Sequence, residues 1–262
     1  MAQREIYPNP PLVLTVIELR HTETAPLSEA DQAALKALLA AKFPLARPVH
    51  RLGMTLTSSG VTQENALDPR YMTRDSTSAV TFRRNGIVVE TTRYERRSTL
   101  RELLRLAVEA RQKVASADGI VRLGVRYVNE IRADIESPSD WSQWIVPALT
   151  SSAALEAGSA GHAMTWQGMS VFGSQENGVA LRHGNHEGYA VDPGSDLRRA
   201  TPPPGPFYLL DLDGFWQPEG DVPTLDWGNI EARYDEAALN SYRLFEQLIT
   251  DEYRQEVLRR DQ

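Results

Sequence analysis

Residues 120–133, with the sequence IVRLGVRYVNEIRA, constrain the fold more than any other stretch of the chain. Side chains of a β-strand alternate between two faces. One face of this stretch carries Arg122, Arg126 and Arg132, and the other is almost wholly apolar: Val121, Leu123, Val125, Tyr127, Asn129 and Ile131. The pattern predicts a long central strand that packs on helices through its apolar face.

Arg122 and Arg126 are the candidate binding residues, together with Tyr127 and Asn129 on the same strand. Residues four apart on a strand point the same way, about 13 Å from each other. The planar guanidinium group suits carboxylate or phosphate recognition. Gly124 lies between the two arginines, and a glycine inside a strand often marks the close approach of another group.

A purely structural interpretation of the same residues is slightly favoured. Tyr127 and Asn129 would then belong to the core, with the Asn129 amide bonded to backbone. The two arginines would form cross-strand ion pairs with carboxylates on neighbouring strands, the candidates being Glu18, Glu90 and Glu130.

The length and composition of the chain fit an ordinary globular protein of one large or two small domains. Its 262 residues are 41% hydrophobic and 24% charged. It contains no cysteine, which excludes disulfides, thiolate catalysis and cysteine metal sites. It shows no run of about 20 apolar residues and no apolar leader. We therefore expect a cytoplasmic protein without membrane contact.

The net charge of −7 is unevenly distributed and disfavours non-specific nucleic-acid binding. Residues 83–132 hold 12 Lys and Arg against 6 Asp and Glu, whereas residues 187–262 hold 7 against 16. The asymmetry is compatible with solvated faces that pair internally. It is also compatible with a charged surface that recognises a protein partner or a second copy.

The first half of the chain predicts strands at 12–20, 51–57, 79–84 and 87–94. A helix capped by Ser28 follows the first strand, and a second helix capped by Ser98 runs to about residue 115. Asn85-Gly86 between two strand patterns is a strong hairpin signal. The polar residues 58–76 predict a loop.

The second half predicts strands at 120–133, 162–172, 179–183 and 207–215. A short helix interrupted by Pro147 follows the first of them, and loops are expected at 192–206 and 216–229. The final helix is expected over about 230–258, with a buried stripe formed by Leu239, Tyr242, Phe245, Leu248, Ile249 and Tyr253.

The two halves share an order of elements, β-α-β-β-(β)-α. We therefore expect an α+β protein in which an antiparallel sheet carries long helices on one face. The expected architecture is one domain, 1–262, built of two pseudo-repeats at about 10–118 and 119–260. Such a duplicated helix-grip arrangement resembles the TATA-binding-protein-like folds, an analogy that implies nothing about DNA.

Three blocks of the chain carry a family resemblance: YPNPPLVLTVIELR, RLGVRYVNEI and YDEAALNSYRLFEQLITDEYRQ. Together they resemble a sporadically distributed, uncharacterised family of bacterial proteins of about this length. Where many members have a histidine near the start of the final helix, this chain has Leu239, Asn240 and Ser241. The resemblance implies an accessory role, in mobile-element or phage-defence gene sets, and it brings no known activity that could be expected of this chain.

Two weak metal-site candidates occur. His183 and His186 have a usable spacing, but Gly-Asn between them predicts a turn and no third ligand follows. Asp211 and Asp213 share one side of a strand and could hold a divalent ion or act as an acid–base pair. The alternative, favoured by the neighbouring Gly214, is that they form the solvent face of an edge strand.

No nucleophile motif and no glycine-rich nucleotide loop is present, so we expect no cofactor. The sequence favours a non-enzymatic binding or assembly protein that docks a protein partner or itself. The first alternative is a small-ligand sensor or metal-dependent enzyme that uses Arg122 and Arg126 with Asp211 and Asp213. The second is a nucleic-acid-binding protein.

Overall fold

The computed structural model describes residues 7–57, 60–155, 157–161 and 163–260. Its strands are β1 (Leu12–His21), β2 (Leu45–Ala46), β3 (Val49–Thr57), β4 (Gly60–Asp68), β5 (Arg70–Met72), β6 (Ser78–Arg83), β7 (Gly86–Thr91), β8 (Ile120–Ile131), β9 (Trp166–Gly173), β10 (Asn177–Gly188) and β11 (Gly205–Trp216). The α-helices are α1 (Glu29–Leu39), α2 (Arg97–Val114), α3 (Trp141–Trp144), α4 (Pro147–Thr150), α5 (Trp227–Leu248) and α6 (Asp251–Tyr253).

Nine strands form one antiparallel sheet in the order β2-β5-β6-β7-β1-β8-β11-β10-β9, and β3 pairs with β4 in a separate hairpin. The predicted α+β class with a large antiparallel sheet is therefore confirmed. The central pair is β1 and β8, in which Ile17 lies opposite Val125 and Glu18 opposite Gly124. No helix in the described ranges is both long and apolar enough to cross a bilayer.

The main helices pack on one face of the sheet. Ile17 and Val125 are fully buried in a cluster that also contains Leu104 of α2 and Tyr234 of α5. A second cluster joins β10 and β11 to α3, α6 and the end of α5. Because side chains alternate along each strand, the polar residues of β1, β8 and β11 lie on the opposite face. We call this opposite face, defined by Glu18, Arg122, Arg126, Asp211 and Asp213, the charged face.

Local signals at the first helix and the first hairpin are confirmed. Ser28 accepts a hydrogen bond from the Asp31 amide while the Asp31 carboxylate accepts one from the Ser28 amide, which is a capping box. The predicted hairpin forms between β6 and β7, but its two turn residues are Arg84 and Asn85, because Gly86 already belongs to β7 and pairs with Arg83. Leu38, which shares the helical spacing of the buried Leu35, is 42% exposed.

Several predicted boundaries were wrong. Ser98 lies inside the first turn of α2, whose N-cap is Arg96 without a side-chain bond. The segment 58–76 contains strands Gly60–Asp68 and Arg70–Met72 rather than one loop, although residues 58 and 59 lie outside the described part. Its pairing with β3 stabilises a strand that its polar sequence does not suggest. His162, the predicted start of a strand, also lies outside the described part, and β9 begins at Trp166.

The predicted buried stripe of the final helix is confirmed in part, since Leu248, Ile249 and Tyr253 are buried. The final helix is shorter than expected. It stops at Leu248, and Ile249 forms a β-bridge with Ile145 before α6 begins. The buried residues of α5 are Ile230, Tyr234, Ala237, Ala238, Ser241 and Leu248. Leu239 and Tyr242 are only half-buried. The small residues face the sheet because Gly214 of β11 lets the helix backbone approach closely.

A segment of the second half crosses onto the first half at the charged face. Residues 189–204, which we call the strap, connect β10 to β11. Leu197 of the strap is buried with Met72 and Ala79 of the first half. The backbone amide of Arg198 donates to the Ser76 carbonyl oxygen at 2.8 Å. The strap therefore ties the two halves together outside the helical core.

Candidate functional site

Arg122 and Arg126 both project from β8 onto the charged face, and both pair with carboxylates of β11. Arg126 donates from Nε and Nη2 to the two oxygens of Asp211, each at 2.7 Å. Arg122 donates from Nη2 to Asp213 Oδ2 at 2.6 Å. The hydrogen bond to Asp211 raises the pKa of Arg126. The structure thus brings together the four residues of the predicted arginine–aspartate group, as two ion pairs.

Gly124 makes the Arg122 pair possible. A Cβ atom at this position would lie 2.4 Å from Arg122 Nη1 and 3.0 Å from Asp213 Oδ1. The Arg122 guanidinium and the Asp213 carboxylate therefore occupy the space that a side chain at this position would fill. The close approach that a glycine in a strand predicts is confirmed here.

Asp211 is the most buried acid of the group, with a side-chain exposure of 2%. In addition to Arg126, it faces Arg182 of β10 at 3.4 Å. The favoured expectation that Asp211 and Asp213 line an edge strand was wrong, since β11 lies between β8 and β10. A buried carboxylate in an interior strand needs cationic partners, and Arg126 and Arg182 provide them.

The ion pairs continue across the central strands into the first half. Glu18 of β1 lies 3.5 Å from Arg122 and 3.2 Å from Arg83 of β6. Arg70 of β5 then pairs with Glu90 of β7 at 3.3 Å and with Asp196 of the strap at 3.2 Å. We call this set of neighbouring ion pairs, from Arg182 to Asp196, the ion-pair ladder. Glu18, which was one of the proposed structural partners of the arginines, is part of it.

Tyr127 and Asn129 lie on the helix side of β8, away from the charged face. Tyr127 is 7% exposed and packs edge-on against Tyr94, with ring centroids 5.9 Å apart. Asn129 Nδ2 donates to the Leu210 carbonyl oxygen at 2.9 Å. Both residues therefore occupy the core positions that the structural interpretation assigned to them.

His183 and His186 do not form a joint metal site. The predicted turn at Gly-Asn is wrong, because both histidines lie within β10. Being three residues apart, they point to opposite faces: His183 stacks on Tyr208 and His186 on Phe207. Burial lowers the pKa of both histidines. Among the residues the structure describes, no group of three or more acids and histidines could hold a metal.

A second buried acid, Glu130, anchors the strap. Its side chain is 1% exposed and accepts hydrogen bonds from Arg132 Nε at 2.9 Å and from the Ala190 amide at 2.8 Å. Arg199 of the strap approaches it at 3.5 Å. This cluster could not be predicted from the sequence, because Arg199 reaches β8 from a Pro-rich loop about 70 residues away.

Two shallow clefts lie on the charged face. One, of about 500 Å³, lies between the strap and the β3–β4 hairpin and is lined by Arg51, Asp68, Arg70, Arg83 and Asp196, among others. The other, of about 780 Å³, lies beside the β9–β10 hairpin and exposes Arg122, Arg182 and Phe215. Arg182 belongs to the site although its sequence context, ALRH, gives no signal beyond strand alternation.

Comparison with models of known protein families finds no match, and comparison with curated proteins finds no match either.

Proposed function

We propose that this chain is a non-enzymatic binding or assembly protein that presents its charged face to a protein partner. The observation that carries the proposal is the ion-pair ladder, in which the candidate acids are already held by arginines. A surface of alternating, positioned charges favours complementary contacts and selects their register. Such a surface is suited to recognising a partner and not to catalysing a reaction.

The same geometry weakens an acid–base or metal role for the aspartates. A general base needs a carboxylate that is free to take a proton. Asp211 accepts two charge-assisted bonds from Arg126 and lies near Arg182. A divalent ion bound by Asp211 and Asp213 would lie close to Arg122, Arg126 and Arg182, and the repulsion between like charges opposes its binding.

We propose further that the sheet is a duplication, with pseudo-repeats at about 10–118 and 119–260. The strand order supports this. In each half the first strand pairs with the last, β1 with β7 and β8 with β11, and the preceding strands follow outward as β6-β5 and β10-β9. A long helix follows the last strand of each half. The arrangement is similar to a helix-grip fold of the TATA-binding-protein type.

We place the protein, again as a proposal, in a bacterial accessory system of the phage-defence or mobile-element kind. The support is the resemblance of its opening, its central strand and its final helix to a sporadically distributed family. A binding or assembly role suits a component of a multi-protein system that carries no catalytic group of its own.

Affinity capture from the native host tests the proposal. We expect a partner that the wild-type chain retains and that Arg182→Glu loses, with capture by the wild type weakening as salt rises. Arg182 is suited because its side chain is half exposed and Asp211, its buried partner, keeps two hydrogen bonds from Arg126. A circular dichroism melt checks that Arg182→Glu stays folded. Arg243→Glu, on the exposed side of α5, is the matched control. Equal capture by wild type and both variants would contradict docking at the charged face.

One observation favours a second candidate, a sensor of small anions. The cleft beside the β9–β10 hairpin exposes Arg122 and Arg182 next to Phe215, a combination suited to a planar anionic ligand. A thermal-shift screen with nucleotides, carboxylates, phosphate and divalent metals separates the two functions. A rise in melting temperature that Arg182→Glu abolishes would favour the sensor.

A further inference from the structure

Among the described residues, the sheet edge formed by β9 lacks the features that normally protect such an edge. The opposite edge is the two-residue strand β2, between Pro44 and Pro48, which is too short to recruit another strand. In contrast, β9 has eight residues, WQGMSVFG, and is regular along its whole length against β10. Residues 164–175 contain no charged residue and no proline. Such an edge is a template for pairing with another strand.

Apolar side chains are concentrated at this edge. Among the described residues, nine large apolar side chains are exposed, and five of them lie in the segment from Leu155 to Phe172 inclusive. Met169 is 61%, Val171 58% and Phe172 45% exposed. Met169 and Val171 lie opposite Arg182 and Ala180 of β10 and so extend the charged face, whereas Phe172 lies on the helix side. Exposed apolar groups on both sides of one edge strand indicate a contact surface.

We propose that β9 pairs antiparallel with β9 of a second copy, about a twofold axis at Ser170. The two nine-stranded sheets would then form one continuous sheet. The proposal rests on the assembly role above and names its partner as the chain itself. A twofold axis requires a self-complementary strand, because each pair of residues occurs twice.

The sequence of β9 satisfies this requirement in one register. With Ser170 opposite Ser170 of the partner subunit, Met169 lies opposite Val171, two exposed apolar groups on the same face. On the other face Phe172 lies opposite Gly168. The His183 ring covers Gly168, since a Cβ there would lie 2.5 Å from His183 Nε2. The Phe172 ring would therefore pack against this imidazole, and aromatic cover of a glycine is a known way to stabilise strands.

The neighbouring register is less favourable. An axis at Met169 would place Val171 against the polar Gln167 and Phe172 against Trp166. Trp166 is already engaged, since its Nε1 donates to the Leu149 carbonyl oxygen at 3.0 Å. Because opposed residues of antiparallel strands share a face, only axes that pass through a residue are allowed. Of the registers that keep most of β9 paired, only the Ser170 axis places both Met169 and Val171 opposite apolar side chains.

Oligomeric state is the first measurement, made by light scattering and sedimentation on the full chain. We expect a concentration-dependent dimer for the wild type. Val171→Lys places two charges in the paired strands and should weaken dimerisation at least about tenfold. Leu67→Lys, at an exposed apolar position of the β3–β4 hairpin, should leave the dimer unchanged. A wild type that stays monomeric at the highest attainable concentration would overturn the proposal.

Disulfide trapping then tests the register. Because the chain has no native cysteine, only the introduced cysteines can cross-link. Directly opposed Cβ atoms lie about 4.5–5.5 Å apart, close to disulfide reach. Ser170→Cys should therefore cross-link with itself on oxidation. Met169→Cys and Val171→Cys should each remain uncross-linked alone but join when mixed. Self-linkage of Met169→Cys instead would overturn the Ser170 register.

Failure of this inference and failure of the proposed function give different results. If β9 does not self-pair, the wild type is a monomer, but a partner captured through Arg182 is still lost in Arg182→Glu. If the charged face does not dock a partner, capture is unaffected by Arg182→Glu while the Ser170→Cys dimer still forms. Ser170→Cys also remains informative if Val171→Lys fails to fold.

Discussion

Val125 and Val121 lie four residues apart on β8, yet they occupy very different environments. Val125 is fully buried against the helices, whereas Val121 is 40% exposed near the end of the strand. We expect Val125→Asp to unfold the protein, because burying an unpaired carboxylate costs several kcal/mol or more. Val121→Asp is the matched control and should stay folded. Circular dichroism melting of both variants checks this. A cooperative, wild-type-like transition for Val125→Asp would contradict the position of the strand.

At single positions, the sequence revealed steric requirements better than it revealed partners. Because glycine has no side chain, Gly124 predicts that another group approaches the strand closely. The Arg122 guanidinium is that group. Alternation also places Arg122 and Arg126 on one face. Their partners Asp213 and Asp211 are 91 and 85 residues away along the chain. Strand alternation does not tell whether the strand that carries them is interior or at an edge. That information comes from the order of strands, a property of the whole sheet.

The contact between β11 and α5 depends on Gly214. A Cβ at this position would lie 2.3 Å from the Ala237 carbonyl oxygen and 2.4 Å from Ser241 Oγ. Because the first of these atoms is backbone, the helix itself must move. We expect Gly214→Ala to lower the free energy of unfolding by about 1–3 kcal/mol. Urea denaturation followed by tryptophan fluorescence measures the change.

Gly205, at the other end of β11, provides the control for this prediction. The nearest atom to a Cβ built there is Arg132 Nη1 at 3.7 Å, an ordinary contact distance. Gly205→Ala should therefore change the free energy of unfolding by less than about 0.5 kcal/mol. Equal effects of the two substitutions would show that close packing of α5 does not depend on Gly214.

Elements with strong local signals were predictable, and elements that depend on distant pairing were not. Ser28 and Asp31 determine the start of α1 by themselves, and Asn85-Gly86 lies where two strands meet. In contrast, β4 reads GVTQENALD, a polar sequence that is extended because β3 pairs with it. The buried face of the first part of α5 was also missed, because small residues such as Ala237 carry little hydrophobic signal.

At the scale of the molecule, contacts between the halves predict one cooperative unit. Tyr234 of α5 donates to the Arg97 carbonyl oxygen of α2 at 2.9 Å, and Arg101 pairs with Asp235 at 3.0 Å. We expect a broad-specificity protease to cut first at 217–226, a largely exposed loop outside helices and strands. The nicked chain should still migrate as one particle and melt in a single transition.

Size-exclusion chromatography and calorimetry of the nicked protein check this expectation. Addition of denaturant should separate the two fragments, which controls for incomplete cleavage. First cleavage at 117–120, with two halves that are each stable alone, would contradict a single unit. The strap is a second reason to expect that the two halves form one unit, since Leu197 is buried against Met72 of the first half.

The central position of β8 has a consequence for the protein during its synthesis. β1 and β7 can pair as soon as both leave the ribosome, but β1 then exposes its other edge until β8 follows. The 40 residues that separate Thr91 from Ile131 take about 2–8 s to translate at 5–20 residues per second. During that interval the nascent chain carries an unpaired strand of alternating apolar residues. A slow codon cluster before residue 120 would prolong this exposure, and a chaperone that binds nascent chains would act there first.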